Sequence, residues 1–324
     1  MSFTDWLRET GERLRADGVR RGTVTSANEL WVGALRRIGR TFDLGERVYE
    51  RDWDVLIVLD ACRVDLLQEV ARAAGGPGGT YPFLTPGFET FKSAGSQSAE
   101  WMNRNFVRGS DAELAETAYV TGNPFSRDLD GSAFAHFDEV WRYGWDDELG
   151  GMPPRPITDR AVAAGREHDF DRLIVHYMQP HVPFRSMEDS AVDWGDPETG
   201  FGRLRGERAG RTSVWNRLRE GRIDRETVWA AYRDNLEWVL DNVAVLLANV
   251  DADRVVVTAD HGNGLGEWWC YGHPDHVPVP AIRRVPWLET TAEDTGEHEP
   301  TTERGPDGLA DETVDSRLDA LGYK

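Results

Sequence analysis

Two short aliphatic runs in this chain stop abruptly on an acidic residue. Val55-Leu56-Ile57-Val58-Leu59 ends at Asp60, and Val257-Thr258-Ala259 ends at Asp260, with His261 and Gly262 following. Runs without polar alternation predict strands buried on both faces of a parallel sheet. Arg172-Leu173-Ile174-Val175-His176-Tyr177 predicts a third such strand, and Ala118 to Thr121 a fourth that opens into a loop at Gly122-Asn123. Helical stretches lie between them. Arg63 to Ala74 forms one, closed by the breaker Gly75-Gly76-Pro77-Gly78-Gly79. The small-residue turn Ser93-Ala94-Gly95-Ser96-Gln97-Ser98 leads into another, through Trp101 and Phe106. Arg225 to Asn249 is a long helix with Leu236, Val239, Leu240, Val243, Leu246 and Leu247 on one face. Strands alternating with helices predict a doubly wound α/β/α sandwich with a mostly parallel central sheet.

The flanks differ from this body. Residues 1–50 read as two polar, Arg-rich helices with apolar positions at Trp6, Leu7, Leu14, Leu30, Trp31, Leu35 and Ile38. Packing onto the main domain is the first expectation for them. Docking a partner, or peripheral contact with a membrane surface, is the other use such helices have. Residues 51–288 form the expected catalytic domain, with 130–160 resisting assignment and 186–224 a polar, Gly-rich insertion or lid. Residues 289–324 are acidic and poor in apolar side chains, which predicts a loosely ordered tail.

Composition narrows the function classes. The formal charge of −20 argues against nucleic-acid binding, because a phosphate backbone needs a basic surface. Lysine occurs only at Lys92 and Lys324, and every other cation is Arg. Abundant carboxylates with almost no Lys match a halophile's surface; an acidic enzyme from a GC-rich genome is the blander reading. Cys62 and Cys270 alone give no disulfide framework. The first residues lack the apolar core of a signal peptide, and no stretch is long and apolar enough to span a bilayer. A cytoplasmic protein is expected.

In open α/β sheets ligands gather at the carboxyl ends of the strands. Asp60, Asp260 and His261 are therefore expected to meet, and two carboxylates with an imidazole make a metal-ligand set. Beyond this, Leu59-Asp60-Ala61-Cys62-Arg63-Val64-Asp65 resembles the first-strand motif of sulfatase-like members of the alkaline phosphatase superfamily. His176-Tyr177-Met178-Gln179-Pro180-His181-Val182-Pro183-Phe184 is similar to their central His-containing strand and turn. Thr258-Ala259-Asp260-His261-Gly262 resembles their metal motif, and Tyr271-Gly272-His273, Val285-Pro286-Trp287 and Arg317-Leu318-Asp319-Ala320-Leu321-Gly322-Tyr323 continue the series in order.

The resemblance implies a metal-dependent enzyme acting on an anionic ester. Asp60, Asp260 and His261 would be metal ligands, for one divalent ion. Mn²⁺ is preferred, with Zn²⁺ or Ca²⁺ as alternatives. It places the nucleophile in the turn before the second helix, at Ser96, with Ser98 and Ser93 behind it. Ser96 or Ser98 equally reads as a plain N-cap. His181 and His273 would bind the transferring group or serve the leaving group, and Arg63, His176 and Ser98 would approach the substrate. His176 also reads as a core residue of its strand, and Arg63 as a local partner of Asp65. The Cys-x-Pro-x-Arg motif from which sulfatases make formylglycine does not occur, so serine chemistry favours phosphate esters or diesters over sulfate. A sulfatase is the runner-up, and a non-catalytic binding protein with the same fold is the rival. A glycan or lipid headgroup precursor is the substrate expected by analogy alone.

Overall fold

The computed structural model describes residue 15 and residues 19–42, 45–187 and 213–305. Nine strands are described: β1 (Val55–Leu59), β2 (Glu89–Lys92), β3 (Thr117–Thr121), β4 (His136–Glu139), β5 (Arg172–Tyr177), β6 (Ala252–Thr258), β7 (Gly264–Leu265), β8 (Tyr271–Gly272) and β9 (Arg284–Ala292). Seven of them form one sheet in the order β2-β9-β6-β1-β5-β3-β4, while β7 and β8 pair separately. From β6 to β4 every pairing is parallel. At the other end β9 runs antiparallel to both β6 and β2.

The unbroken apolar runs are the interior of this sheet. Every residue of β1 and β3 is buried, as are all of β5 after Arg172. Each fully buried Leu, Ile or Val contributes about 1.5–3 kcal/mol relative to exposure, so the centre of the sheet dominates the stability of the domain. One face is covered by the helices Val64–Ala74, Pro154–Glu167 and Arg225–Leu247. The apolar stripe from Leu236 to Leu247 is buried, and Asp224 caps that helix by accepting from the Thr227 amide at 2.7 Å. The other face is aromatic. Trp101 meets Phe106 edge-on at 5.3 Å, and Phe106 lies 5.0 Å from Tyr119 of β3. Residues 130–160, which resisted assignment, supply β4 and the start of the helix Pro154–Glu167.

Both flanks are tied to this body. One of the two expected N-terminal helices is described, Val19–Thr41; residues 1–14 lie outside the described residues. Its Leu35 packs with Cys270, Val277, Val279 and Ile282. Gly39 sits so close to the chain that a Cβ there would lie 1.7 Å from the His276 carbonyl oxygen. Of the expected lid, residues 188–212 lie outside the described residues, and the remainder includes the helix Val214–Arg219.

At the other end the sheet continues past residue 288, since β9 runs to Ala292. Residues 293–305 then lie along the body instead of trailing from it, and residues 306–324, with Arg317 to Tyr323, lie outside the described residues. The physical reason is Asp159, fully buried on its helix. Its Oδ2 accepts from the amide and hydroxyl of Thr301 (both 3.0 Å) and of Thr302 (3.0 and 2.9 Å), while His298 meets Oδ1 at 2.7 Å. Burial by itself would raise the Asp159 pKa. The His298 imidazole and the threonine donors outweigh it and hold the carboxyl below its ordinary range. A polar strap poor in apolar side chains is in this way held by a buried anion. Asp159→Ala should lower unfolding stability by about 2–4 kcal/mol and open residues 293–305 to limited proteolysis. An unchanged denaturation midpoint with an unchanged cleavage pattern would remove Asp159 as the anchor.

Candidate active site

The parallel register of the central strands brings the acidic residues together. β1 and β6 pair with Val58 opposite Thr258, and β1 and β5 pair with Val58 opposite His176. Asp60 and Asp260 therefore leave the sheet side by side, both with zero exposure, next to His176. Asp260 Oδ1 accepts from two backbone amides, Ala61 at 3.0 Å and His261 at 2.8 Å. Ala61 takes up this bond at a φ of 63°, a left-handed conformation that is costly for a residue with a Cβ. Asp60 Oδ2 accepts from Asn123 Nδ2 at 2.9 Å and from Ser98 Oγ at 3.3 Å.

The imidazoles are oriented toward this pair. His261 Nδ1 lies 3.0 Å from the Gly262 carbonyl and must donate to it, which leaves Nε2 as a bare lone pair. That lone pair faces Asp260 Oδ2 at 3.4 Å, Asp60 Oδ1 at 3.6 Å and Ser98 Oγ at 3.5 Å. His176 Nδ1 bonds the Tyr119 hydroxyl at 2.8 Å, and its Nε2 lies 3.7 Å from Asp260 Oδ2. Neither Asp260 Oδ2 nor His176 Nε2 makes a hydrogen bond among the described residues. Burial would raise the Asp260 pKa, but His261 and then His176 keep it well below the carboxylate range; burial holds His261 below the ordinary imidazole value. Ionised Asp260 and neutral His261 thus present several acceptor atoms to one small space. Such a set is unfavourable unless a cation compensates it. Ligand atoms of Asp60, His176 and Asp260 lie within 4.8 Å of one another, so a divalent ion fits the donor set.

A second pair of imidazoles borders this group. His181 donates from Nδ1 to the Val182 carbonyl at 2.7 Å, and its Nε2 meets His273 Nε2 at 2.9 Å. His273 lies 4.5 Å from His261, ring centre to ring centre. Burial, reinforced by His261, pulls the His181 pKa down to about 4, and burial with His261 and His181 pulls His273 well below its ordinary value. Both rings are neutral near pH 7 and act as hydrogen-bonding groups, not as charges.

The structure does not bring Ser96 to the carboxylates. Its hydroxyl lies 2.9 Å from Glu100 Oε2 and 3.0 Å from the Pro274 carbonyl, and accepts from the Val277 amide at 3.3 Å. Glu100 is in turn paired with Arg283 at 2.7 Å. Ser96 thereby braces the loop that carries His273. Ser98, two residues on, faces the acidic pair. Neither serine is the helix cap: the helix Ser98–Met102 begins at Ser98, behind Gln97, and no side chain makes the capping bond. Ser93, the remaining serine of the turn, donates to the Asp260 carbonyl.

Arg63 is engaged in local bonds at its own loop. It bonds Asp65 at 2.8 and 2.6 Å, the Asn263 carbonyl at 2.6 Å and Glu267 at 3.0 Å, fixing the loop that follows His261. Cys62 is buried and burial pushes its thiol pKa up, so it packs as a small hydrophobe. Asn123 and Glu100 were not expected at the site. Asn123 carried a usable signal, its place at the carboxyl end of β3; Glu100 carried none, because its partner Arg283 is far away in sequence.

No family model and no curated protein matches the chain. Among solved structures it is similar to the soluble domain of lipooligosaccharide phosphoethanolamine transferase A from Neisseria meningitidis, at 14% identity over 86% of this chain and 90% of that one, with a TM-score of 0.49. The C-terminal periplasmic domain of EcEptC from Escherichia coli, in complex with Zn, is similar at 12% identity over 78% and 77% of the two chains, with a TM-score of 0.44. A 2-O GAG sulfatase is similar at 12% identity over 84% and 71%, also with a TM-score of 0.44.

Proposed function

We propose that the chain is a metal-dependent enzyme that transfers or hydrolyses a phosphate ester or diester, with Ser98 as its nucleophile. The observation that supports it most directly is the seat of Ser98 Oγ, 3.3 Å from Asp60 and 3.5 Å from His261, beside two buried carboxylates. Asp60, Asp260 and His261 would hold one divalent cation, with His176 as a further donor beside them; Mn²⁺ is preferred for this mixed oxygen and nitrogen set, with Zn²⁺ or Ca²⁺ as alternatives. When bound, the cation supplies charge compensation for the carboxylates and for a serine alkoxide.

The chain's own groups divide the remaining work. Ser98 Oγ forms the new bond to phosphorus, its proton leaving on the side of Asp60, while the bond to the departing oxygen breaks. Water or an acceptor hydroxyl then cleaves the phosphoseryl bond and restores the serine. Asn123 holds Asp60 in place through its amide. His181 and His273 are neutral donors or acceptors for oxygens of the anion or leaving group. Ser96 and Glu100 position the His273 loop. Phosphorus is favoured over sulfur because a sulfated, unmodified serine lacks the elimination route open to formylglycine. A glycan or lipid headgroup precursor stays an analogy for the natural substrate.

Asp260→Asn should weaken metal binding by about 100-fold or more, read by calorimetry, with the circular dichroism spectrum preserved. Undiminished metal affinity would remove Asp260 from the ligand set. Ser98→Ala should retain metal but lose at least ~10³-fold in turnover of nitrophenyl phosphate or bis-nitrophenyl phosphate, and Ser96→Ala should lose far less. The opposite ranking would return the nucleophile to Ser96. Turnover of sulfate esters alone would replace phosphorus by sulfur, and a metal-free protein inactive on every ester would be a binding protein.

A further inference from the structure

We propose that the outer face of the helix Val19–Thr41, together with the turn at Trp268-Trp269, is a surface that seats on an anionic lipid bilayer. A helix lying on a domain ordinarily turns its polar side outward. Here the inner side is already used: Leu35 and Gly39 are buried, and Asn28 donates to the Trp269 carbonyl at 2.6 Å. The outer side is apolar as well. Val24, Trp31 and Ile38 recur every seven residues and so share one stripe, which Phe42 extends. Trp31 is 44% exposed, Ile38 46% and Phe42 58%.

Two further indoles adjoin the stripe. Trp31 Nε1 donates to the Trp268 carbonyl at 2.7 Å, which sets Trp268, itself 53% exposed, against the helix. Trp268 and Trp269 hold φ values of 51° and 58°, a conformation bulky residues rarely adopt. The fold thus keeps a costly backbone turn that leaves two aromatic side chains at the surface.

Charge selects the occupant. The chain carries −20, yet residues 19–42 contain five arginines (Arg20, Arg21, Arg36, Arg37 and Arg40) against the single acid Glu29. Arg36 and Arg40 reach Asp275 at 2.6 and 3.1 Å, and Arg37 is exposed next to Ile38. A Trp-bearing apolar stripe on a helix whose sequence carries a net positive charge fits the headgroup region of an anionic bilayer. A second copy seated on this face about a two-fold axis would bring the same arginines against each other. No described helix is long and apolar enough to cross a membrane, so the contact is with the surface. The docking face does not depend on the chemistry assigned to Ser98. The Asp275 clamp does tie it to the loop carrying His273, so a docked molecule holds its active site at a fixed orientation to the bilayer.

The test is flotation of the full chain with vesicles of phosphatidylcholine and phosphatidylglycerol (1:1) or phosphatidylcholine alone, all at one salt concentration, with tryptophan emission as a second reading. Binding and a blue shift are expected with the anionic vesicles. Ile38→Glu, and separately Arg37→Glu, should each weaken partitioning about tenfold or more, with ester turnover in solution unchanged. Val107→Glu, at an exposed apolar residue elsewhere, is the control and should bind like the parent. Absence of binding to anionic vesicles overturns the proposal, as does equal weakening by the control. A dimer in light scattering that Ile38→Glu dissociates, without vesicle binding, would make this face a self-interface instead.

Discussion

Two carboxylates at zero exposure, fixed side by side at the ends of β1 and β6, are the constraint on which the rest of this structure depends. Like charges in a low-dielectric interior repel strongly, and each separately resists desolvation. The chain answers with directed donors. Two backbone amides converge on Asp260 Oδ1, one of them from Ala61 in a strained conformation, and Asn123 reaches Asp60. These bonds satisfy part of the acceptor capacity and leave the remainder aimed at one point with His261 and His176. A fold that only had to be stable would replace such a cluster with packed apolar side chains. Asp60, Asp260 and His176 together form a group that could hold a metal ion, and the proposed chemistry rests on that cluster.

Around that point the fold builds rigidity in layers. The aromatic packing of Trp101, Phe106 and Tyr119 fixes the segment that opens with Ser98, and Tyr119 also bonds His176. On the solvent side, Arg283, Glu100 and Ser96 form a buried chain that holds the backbone at Pro274 and Val277. His273 therefore depends on residues far from it in sequence. The helix Val19–Thr41 grips the same loop from outside through Asp275 and the carbonyls of Trp268 and Trp269. An N-terminal appendage in this way braces the loop that carries His273 from outside.

The strands and the acidic pair were legible because both follow from local patterns. An aliphatic run ending on Asp predicts a buried strand with its polar group at the carboxyl edge, and the parallel register supplies the meeting of Asp60 with Asp260. The choice between Ser96 and Ser98 was not legible. Two serines in one small-residue turn differ in sequence by a single intervening Gln97, and the seat of Ser96 among Glu100, Pro274 and Val277 turns it away from the acids. Asn123 went unnoticed as a site residue because its signal was positional, its place just after β3, and a neutral amide adds no charge to mark it. The order of residues 293–305 was likewise hidden, since it rests on one buried anion, Asp159, contributed by a distant helix.

Sequence by itself therefore determined the α/β class, the central strands and which acidic groups end them, for these depend on the side chains of neighbours along the chain. Tertiary structure alone decided which serine faces the carboxylates, that Arg63 holds a loop, that His176 joins the acidic pair, and that the stripe through Trp31 and Ile38 stays exposed among the described residues. The physical reason is common to all four. Each is settled by the direction of a side chain relative to a partner remote in sequence, and neither periodicity nor composition contains that direction.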